Sequence, residues 1–241
     1  MDFGLFIVSL GFFLGILSQN TIGFGASYFV LPLIPFFFEI KFFVPILIML
    51  YTINTAVFAA REWKKADKEI LKYIIPASTL GIFLGTRFLV NVDEHRLKMF
   101  LAVIIIFLGI YLFFSDRIRN KNKVSLLWGM PAGFLSGVLS NISVANPPII
   151  LLFKLRKMKK ANFYATIGSF FLFTNSVVLL SFFLNGLVSK EQIFIAIKLL
   201  PLMFLAIFLG KKLNRQIPEK VFQNIISIFL IISGFLLMMK G

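Results

Sequence analysis

Long stretches with no charged residue alternate along the chain with short polar segments that hold nearly all the Lys and Arg. The uncharged runs are 3–38, 42–60, 73–86, 100–115, 124–153, 161–189, 199–210 and 221–239. About 20 mostly apolar residues are needed for a helix to cross a hydrocarbon core of roughly 30 Å. Lys and Arg at the edges can extend a shorter run by snorkelling to the interface. The runs are therefore read as membrane helices, and the longest polar stretch, 61–72, as a loop. The first run lacks a basic leading segment and is too long for a cleavable signal peptide. The fold class that follows is an all-α polytopic membrane protein forming one integral membrane domain.

Composition agrees with this pattern. Hydrophobic residues make up 59% of the chain and charged residues only 15%, against about a quarter charged in soluble domains. The formal charge of +15 lies in loops between apolar runs, where the positive-inside bias accounts for it without a nucleic-acid partner.

Local patterns recur in order. Gly11-Phe-Phe-Leu-Gly15-Ile-Leu-Ser18 returns as Gly133-Phe-Leu-Ser-Gly137-Val-Leu-Ser140, and Thr52-Ile-Asn54-Thr55 is echoed by Thr174-Asn175-Ser176. Ile82-Phe-Leu-Gly85 returns as Ile207-Phe-Leu-Gly210, and Gly109 has a counterpart in Gly234. The offset grows only from 122 to 125 residues, so the chain reads as two membrane repeats, 1–115 and 124–241, a common construction for secondary transporters.

The basic residues choose between two topologies. If each of the eight runs crosses once, the 25 Lys and Arg divide 12 to 13 between the two faces, with no bias. The first and fifth runs, however, are 36 and 30 residues long and are interrupted, at Gly23-Phe24-Gly25 and at Asn146-Pro147-Pro148. If each folds as a broken or re-entrant hairpin and returns to the face where it began, 18 basic residues share one face and 7 remain on the other. That is the bias of a plasma-membrane protein. Each repeat then holds a hairpin plus three transmembrane helices, the two repeats are inverted, and both termini lie outside the cytoplasm. Hairpins stopping near mid-membrane are favoured, although two short full crossings give the same parity.

A chain break at membrane depth must be buried or line a cavity. Asn146 suits a helix N-cap and Pro147 the first helical position, while Gly23 and Gly25 permit a tight turn. Two half-helix N-termini, each with free N–H groups and partial positive charge, would suit a small anion. The expected substrate-binding residues are Gly23, Phe24, Gly25, Ser27, Asn54, Ser140, Asn141, Ser143, Asn146, Pro147 and Asn175. Against this, Ser and Thr in apolar helices commonly bond their own backbone, and Gly11/Gly15 and Gly133/Gly137 fit close helix packing better than binding. Cysteine is absent and histidine is limited to His95, and no Asp or Glu lies deep in a run. No catalytic residue, metal site or cofactor is expected, and the chain is not read as an enzyme.

Gly23-Phe-Gly25-Ala-Ser27-Tyr-Phe-Val-Leu-Pro32, repeated as Gly133–Gly137 leading into Ala145-Asn146-Pro147-Pro148, resembles the TauE/SafE sulfite exporter family of membrane permeases. The resemblance covers nearly the whole chain, and departs from the family's richer glycine run at Ala26-Ser27 and Ala145-Asn146. It implies a permease for sulfite, sulfonates or related small anions, bound between the two helix breaks. A channel-like pore for a small anion or neutral solute is the alternative. The partners expected are the small anionic substrate, the bilayer and further copies of the chain, with no nucleic acid.

Overall fold

A computed structural model describes residues 2–22, 25–59, 63–114, 125–141, 146–156, 158–213 and 219–240. Among them every regular element is a helix. The order is α1 (Asp2–Ile22), α2 (Ile34–Phe37), α3 (Ile40–Ala59), α4 (Lys68–Asn91), α5 (Glu94–Phe114), α6 (Gly129–Ser140), α7 (Pro147–Leu155), α8 (Lys160–Leu184), α9 (Lys190–Leu213) and α10 (Glu219–Lys240). Six of these, α1, α3, α4, α5, α8 and α9, hold an apolar stretch long enough to cross a bilayer. The chain is an all-helical polytopic membrane protein.

Short polar signals set the helix ends. Asp67 Oδ1 accepts from the backbone N–H groups of Glu69 and Ile70 at 3.1 and 3.3 Å, capping α4, and Asp93 Oδ1 accepts from Arg96 N at 2.9 Å, capping α5. That N–H bond is the main reason the exposed Asp93 carboxyl is held below its ordinary range. Gly186, at φ +68°, ends α8 in the left-handed region, with Leu187 N donating to Phe182 O at 2.9 Å. The start of α3 is capped from other helices: Glu94 Oε1 accepts from Ile40 N at 2.6 Å, and Gln192 Nε2 donates to Phe42 O at 2.8 Å.

Both faces of the long helices are apolar. On α5, Leu101, Ile105, Leu108 and Leu112 are buried, while Val103, Phe107, Ile110 and Phe114 form an exposed stripe. A helix hydrophobic all round is stable in lipid and not at a water interface, so the exposed stripe is a lipid face.

Contacts divide the chain into two compact units. One comprises Met1–Phe43, Val92–Ile118 and Lys190–Gly241, the other Val44–Asn91 and Arg119–Ser189. Packing units and sequence repeats are therefore different divisions, because each unit draws helices from both halves. In the first unit α1 packs on α9 and α5 on α10; in the second α6 packs on α4, and α4 on α8. The first helix of each half thus packs on the fourth helix of the other half. The shared features extend to prolines: Pro76 in α4 and Pro201 in α9 each stand nine residues before the glycine of Ile-Phe-Leu-Gly.

The α5–α10 contact is reciprocal. A Cβ on Gly109 would stand 2.9 Å from Ser227 O and 2.7 Å from Ile231, and one on Gly234 would stand 3.1 Å from Ala102 O and 2.5 Å from Ile106. Each glycine faces the residues three and seven places before the other, so the two helices run antiparallel about a local two-fold.

Each interrupted run doubles back on itself. In the first unit Gly25 lies beside Ser18, Ala26 beside Gly15, Phe29 and Leu33 beside Gly11, and Phe37 beside Gly4. The rings of Phe3 and Phe37 are 6.4 Å apart, so the return ends where α1 began. In the second unit α7 runs back along α6, leaving an apolar groove of about 410 Å³ lined by Trp128, Leu135, Pro148, Leu152 and Leu155 among others. The arms are unequal. At about 1.5 Å per residue, the 12 residues of α6 and the 9 of α7 reach roughly 18 and 14 Å. Only those are the short arms expected; α1, with 21 residues, is roughly 32 Å long.

Candidate functional site

At the first break α1 closes with polar side chains turned onto their own helix. Ser18 Oγ donates to Gly15 O at 2.9 Å, Asn20 Nδ2 to Ile16 O at 2.9 Å and Thr21 Oγ1 to Leu17 O at 2.8 Å. These are the self-bonds that lower the chance of a direct ligand role. Gly23 and Phe24 lie outside the described residues. Gly25 follows at φ +96°, a conformation that favours glycine, and its carbonyl accepts from Tyr28 N at 3.2 Å. Ser27 is 2% exposed, and its carbonyl accepts from Leu31 N at 2.8 Å.

The return after Gly25 is not the half-helix anticipated there. Residues 26–33 form successive turns, and regular helix begins only at Ile34. Pro32 is the physical reason: it has no N–H to give Tyr28 O, so the i→i−4 ladder begun by Leu31 is broken at the next residue. The first break presents turn backbone and a buried serine, and the expected helix N-terminus is corrected to these.

The second break does open a helix. Asn146 precedes α7, its carbonyl accepting from Ile150 N at 3.2 Å, and Pro147 occupies the first helical position. Ser140 and Asn146 are 0% and 1% exposed. The Ser140 hydroxyl lies 2.7 Å from Ser136 O and 3.0 Å from Asn146 Oδ1, tying the end of α6 to the start of α7. Two consecutive prolines also reduce the supply of N–H donors. Pro147 and Pro148 have none, and Ile150 N is used by Asn146 O. Ser143 lies outside the described residues.

Asn141, the C-cap of α6, is engaged on both ends of its amide. Oδ1 accepts from Thr86 Oγ1 at 2.7 Å, while Nδ2 donates to Ile82 O at 3.0 Å and Gly137 O at 3.1 Å. Ser181 Oγ in turn donates to Thr86 Oγ1 at 2.8 Å. The chain Ser181–Thr86–Asn141 links α8, α4 and α6 through buried groups. Thr86 and Ser181 were not among the expected site residues; the only signal for Thr86 is that it follows the repeated Ile-Phe-Leu-Gly.

Asn54 in α3 and Asn175 in α8 both belong to the second unit and are 0% and 2% exposed. Among the described residues Asn175 Oδ1 finds no hydrogen-bond partner, a costly state for a buried carbonyl. The neighbouring Thr55 and Thr174 bond their own helices, to Tyr51 O at 2.7 Å and Phe170 O at 3.0 Å. The structure thus joins Ser140 to Asn146 at one hairpin tip, ties Asn141 into the helix contacts beside it, and places Gly25 and Ser27 in the other unit.

Among the described residues no three or more His, Asp or Glu side chains come together as a metal site. The arrangement is one of buried hydroxyls, amides and interrupted backbone inside membrane-length helices, which can bind and release a small polar solute. No curated protein and no solved structure matches the chain. A family model, sulfite exporter TauE/SafE, matches residues 7–237. With nearly its whole length covered and the helical membrane fold that such transport requires, the chain belongs to the sulfite exporter TauE/SafE family of membrane transporters.

Proposed function

We propose that this protein is a secondary transporter, a permease or exporter and not an enzyme, of a small sulfur-containing anion such as sulfite or an organosulfonate, and that the anion is taken up at the helix breaks. The observation that carries this reading is the second hairpin, where Asn146 and Ser140 are buried at a break that opens a helix within an otherwise apolar membrane domain. The positive end of α7 favours negative charge. In this reading Asn141 positions α6 while Asn146 and Ser140 touch the substrate. Transport proceeds by alternating access.

Liposomes holding the purified protein test it. Saturable uptake of sulfite, thiosulfate or sulfoacetate is expected, and Asn146→Leu is expected to lower it at least tenfold while leaving a folded protein. If none of these anions crosses or stabilises the protein, the reading fails; flux that does not saturate would belong to a pore.

The proposed location is the plasma membrane with both termini outside. It is supported by the 18 to 7 division of basic residues and by the antiparallel α5–α10 contact, since last helices of inverted repeats run in opposite directions and those of parallel repeats do not. A reporter fused after Gly241 is expected to be active outside the cytoplasm, and a cytoplasmic signal would contradict the inverted arrangement.

A further inference from the structure

The close seam between α4 and α6 leaves a groove along one edge. Gly81 and Gly85 bring the backbone of α4 onto α6, where a Cβ at Gly81 would meet Phe134 O. Leu80, Phe83, Leu84 and Arg87 stand beside that seam at the i, i+3, i+4, i+7 spacing of one helix face. With Phe134 of α6 they line a groove of about 450 Å³ within the second unit. The three apolar α4 residues are each more than half exposed, and Arg87 is exposed as well. Arg87 is set apart by its charge. The acidic residues of its unit are Glu62, Asp67 and Glu69, all in or before the first turn of α4. Arg87 lies 18 residues beyond Glu69, roughly 27 Å along the helix. Among the described residues it forms no ion pair.

Arg87 stands four residues before Asn91, where α4 ends, so its stem follows the groove while its guanidinium reaches the level of lipid headgroups. From Leu80 to Arg87 the groove runs roughly 10 Å along α4, within the roughly 15 Å of hydrocarbon in one leaflet. We propose that this groove binds one phospholipid, with an acyl chain against Leu80, Phe83, Leu84 and Phe134 and its phosphate paired with the Arg87 guanidinium. The planar fork of arginine donates two parallel N–H bonds to a phosphate. A small inorganic anion would meet one cation and leave the apolar walls uncovered. A second copy docking by this stripe about a two-fold would bring two Arg87 side chains towards each other, like charge against like. A phospholipid supplies the apolar chain and the opposite charge together.

The full-length protein in detergent, stripped of lipid, tests this. Its melting temperature is followed against phosphatidylcholine, diacylglycerol of the same chains and inorganic phosphate, and native mass spectrometry counts bound lipid. Phosphatidylcholine has no net charge, so the basic loops do not gather it by long-range attraction. It is expected to raise the melting temperature saturably and to stay bound, while diacylglycerol and inorganic phosphate do neither. Arg87→Gln is expected to need about tenfold more phosphatidylcholine for half-maximal stabilisation, the loss of one charge-assisted pair, and Arg87→Lys to fall between it and the wild type. If Arg87→Gln melts lower without lipid, Arg87→Lys, which keeps the charge and loses the fork, decides by its half-saturation. Half-saturation unchanged in both variants, or equal stabilisation by diacylglycerol, overturns the phosphate pairing. Stabilisation by inorganic phosphate alone makes this a free-anion site, and a lipid-free dimer broken by Leu84→Gln gives the groove to a second copy; either overturns the proposal.

Discussion

Gly137→Leu is expected to leave no folded protein. A Cβ at Gly137 would fall on the backbone carbonyl of Ser78, and one at Gly133 would stand 2.5 Å from Ile74 O. From the other side, a Cβ at Gly81 meets Phe134 O and one at Gly85 stands 2.5 Å from Val138 O. The obstruction is backbone on both helices, so no side chain can rotate aside. Lipid is as apolar as leucine, and helices associate through close packing and not through expulsion of water. Separating α4 from α6 therefore removes the contact that holds them. Overpacking typically costs about 1–3 kcal/mol and more where nothing yields; against a total of roughly 5–15 kcal/mol, a leucine here exceeds what the fold tolerates. Even Gly137→Ala is expected to lower the melting temperature in detergent. Gly186→Ala is the control: its Cβ would meet nothing within 4 Å, and only φ +68° opposes it, costing about 1–2 kcal/mol. A monodisperse Gly137→Leu protein melting near the wild type would show that the helices are not in backbone contact.

Asn141→Leu is expected to be the most damaging loss of a polar group. It leaves the Thr86 hydroxyl without its acceptor and unlinks Ser181, removing a bond of 2.7 Å and two donations at 3.0 and 3.1 Å. Net values of about 1 kcal/mol per bond in water, and about 0.6 kcal/mol between membrane helices, put the total at roughly 2–3 kcal/mol, with a further cost for any group left unsatisfied. Asn175→Leu makes the opposing case. Its Oδ1 has no bond to lose among the described residues, so this variant should melt at least as high as the wild type. Equal thermal effects from the two substitutions would remove the distinction between the asparagine that holds helices and the one whose oxygen is left unbonded.

Much of the architecture can be read from residues alone. Two interrupted runs, repeated glycine pairs and unequal basic faces suffice to expect doubled-back segments and three long helices in each half. Gly133 and Gly137 also look like packing glycines, which is how they are used. The details missed have local causes. Pro32 lies seven residues beyond Gly25, too far from the break to suggest that it would keep the return from becoming helical. Pro147 and Pro148 show in the sequence that N–H groups are missing, but the helix-start signal they give is the stronger impression. Asn146 shows its place at a helix start through the prolines after it, whereas the helix-bridging use of Asn141 shows only in its three-dimensional partners, Thr86 and Ile82. The interleaving of the packing units comes from contacts of long sequence separation, α1 with α9 and α4 with α6, which no run of neighbouring residues encodes.

The reciprocal pairing of Gly109 with Gly234 has a consequence for substitution at either position. Equivalent surfaces meeting across a two-fold are the isologous interface of a symmetric dimer, here enclosed in one polypeptide. Neither glycine can enlarge without colliding with the facing helix, so a larger residue at either position is expected to part α5 and α10 at both ends of the seam.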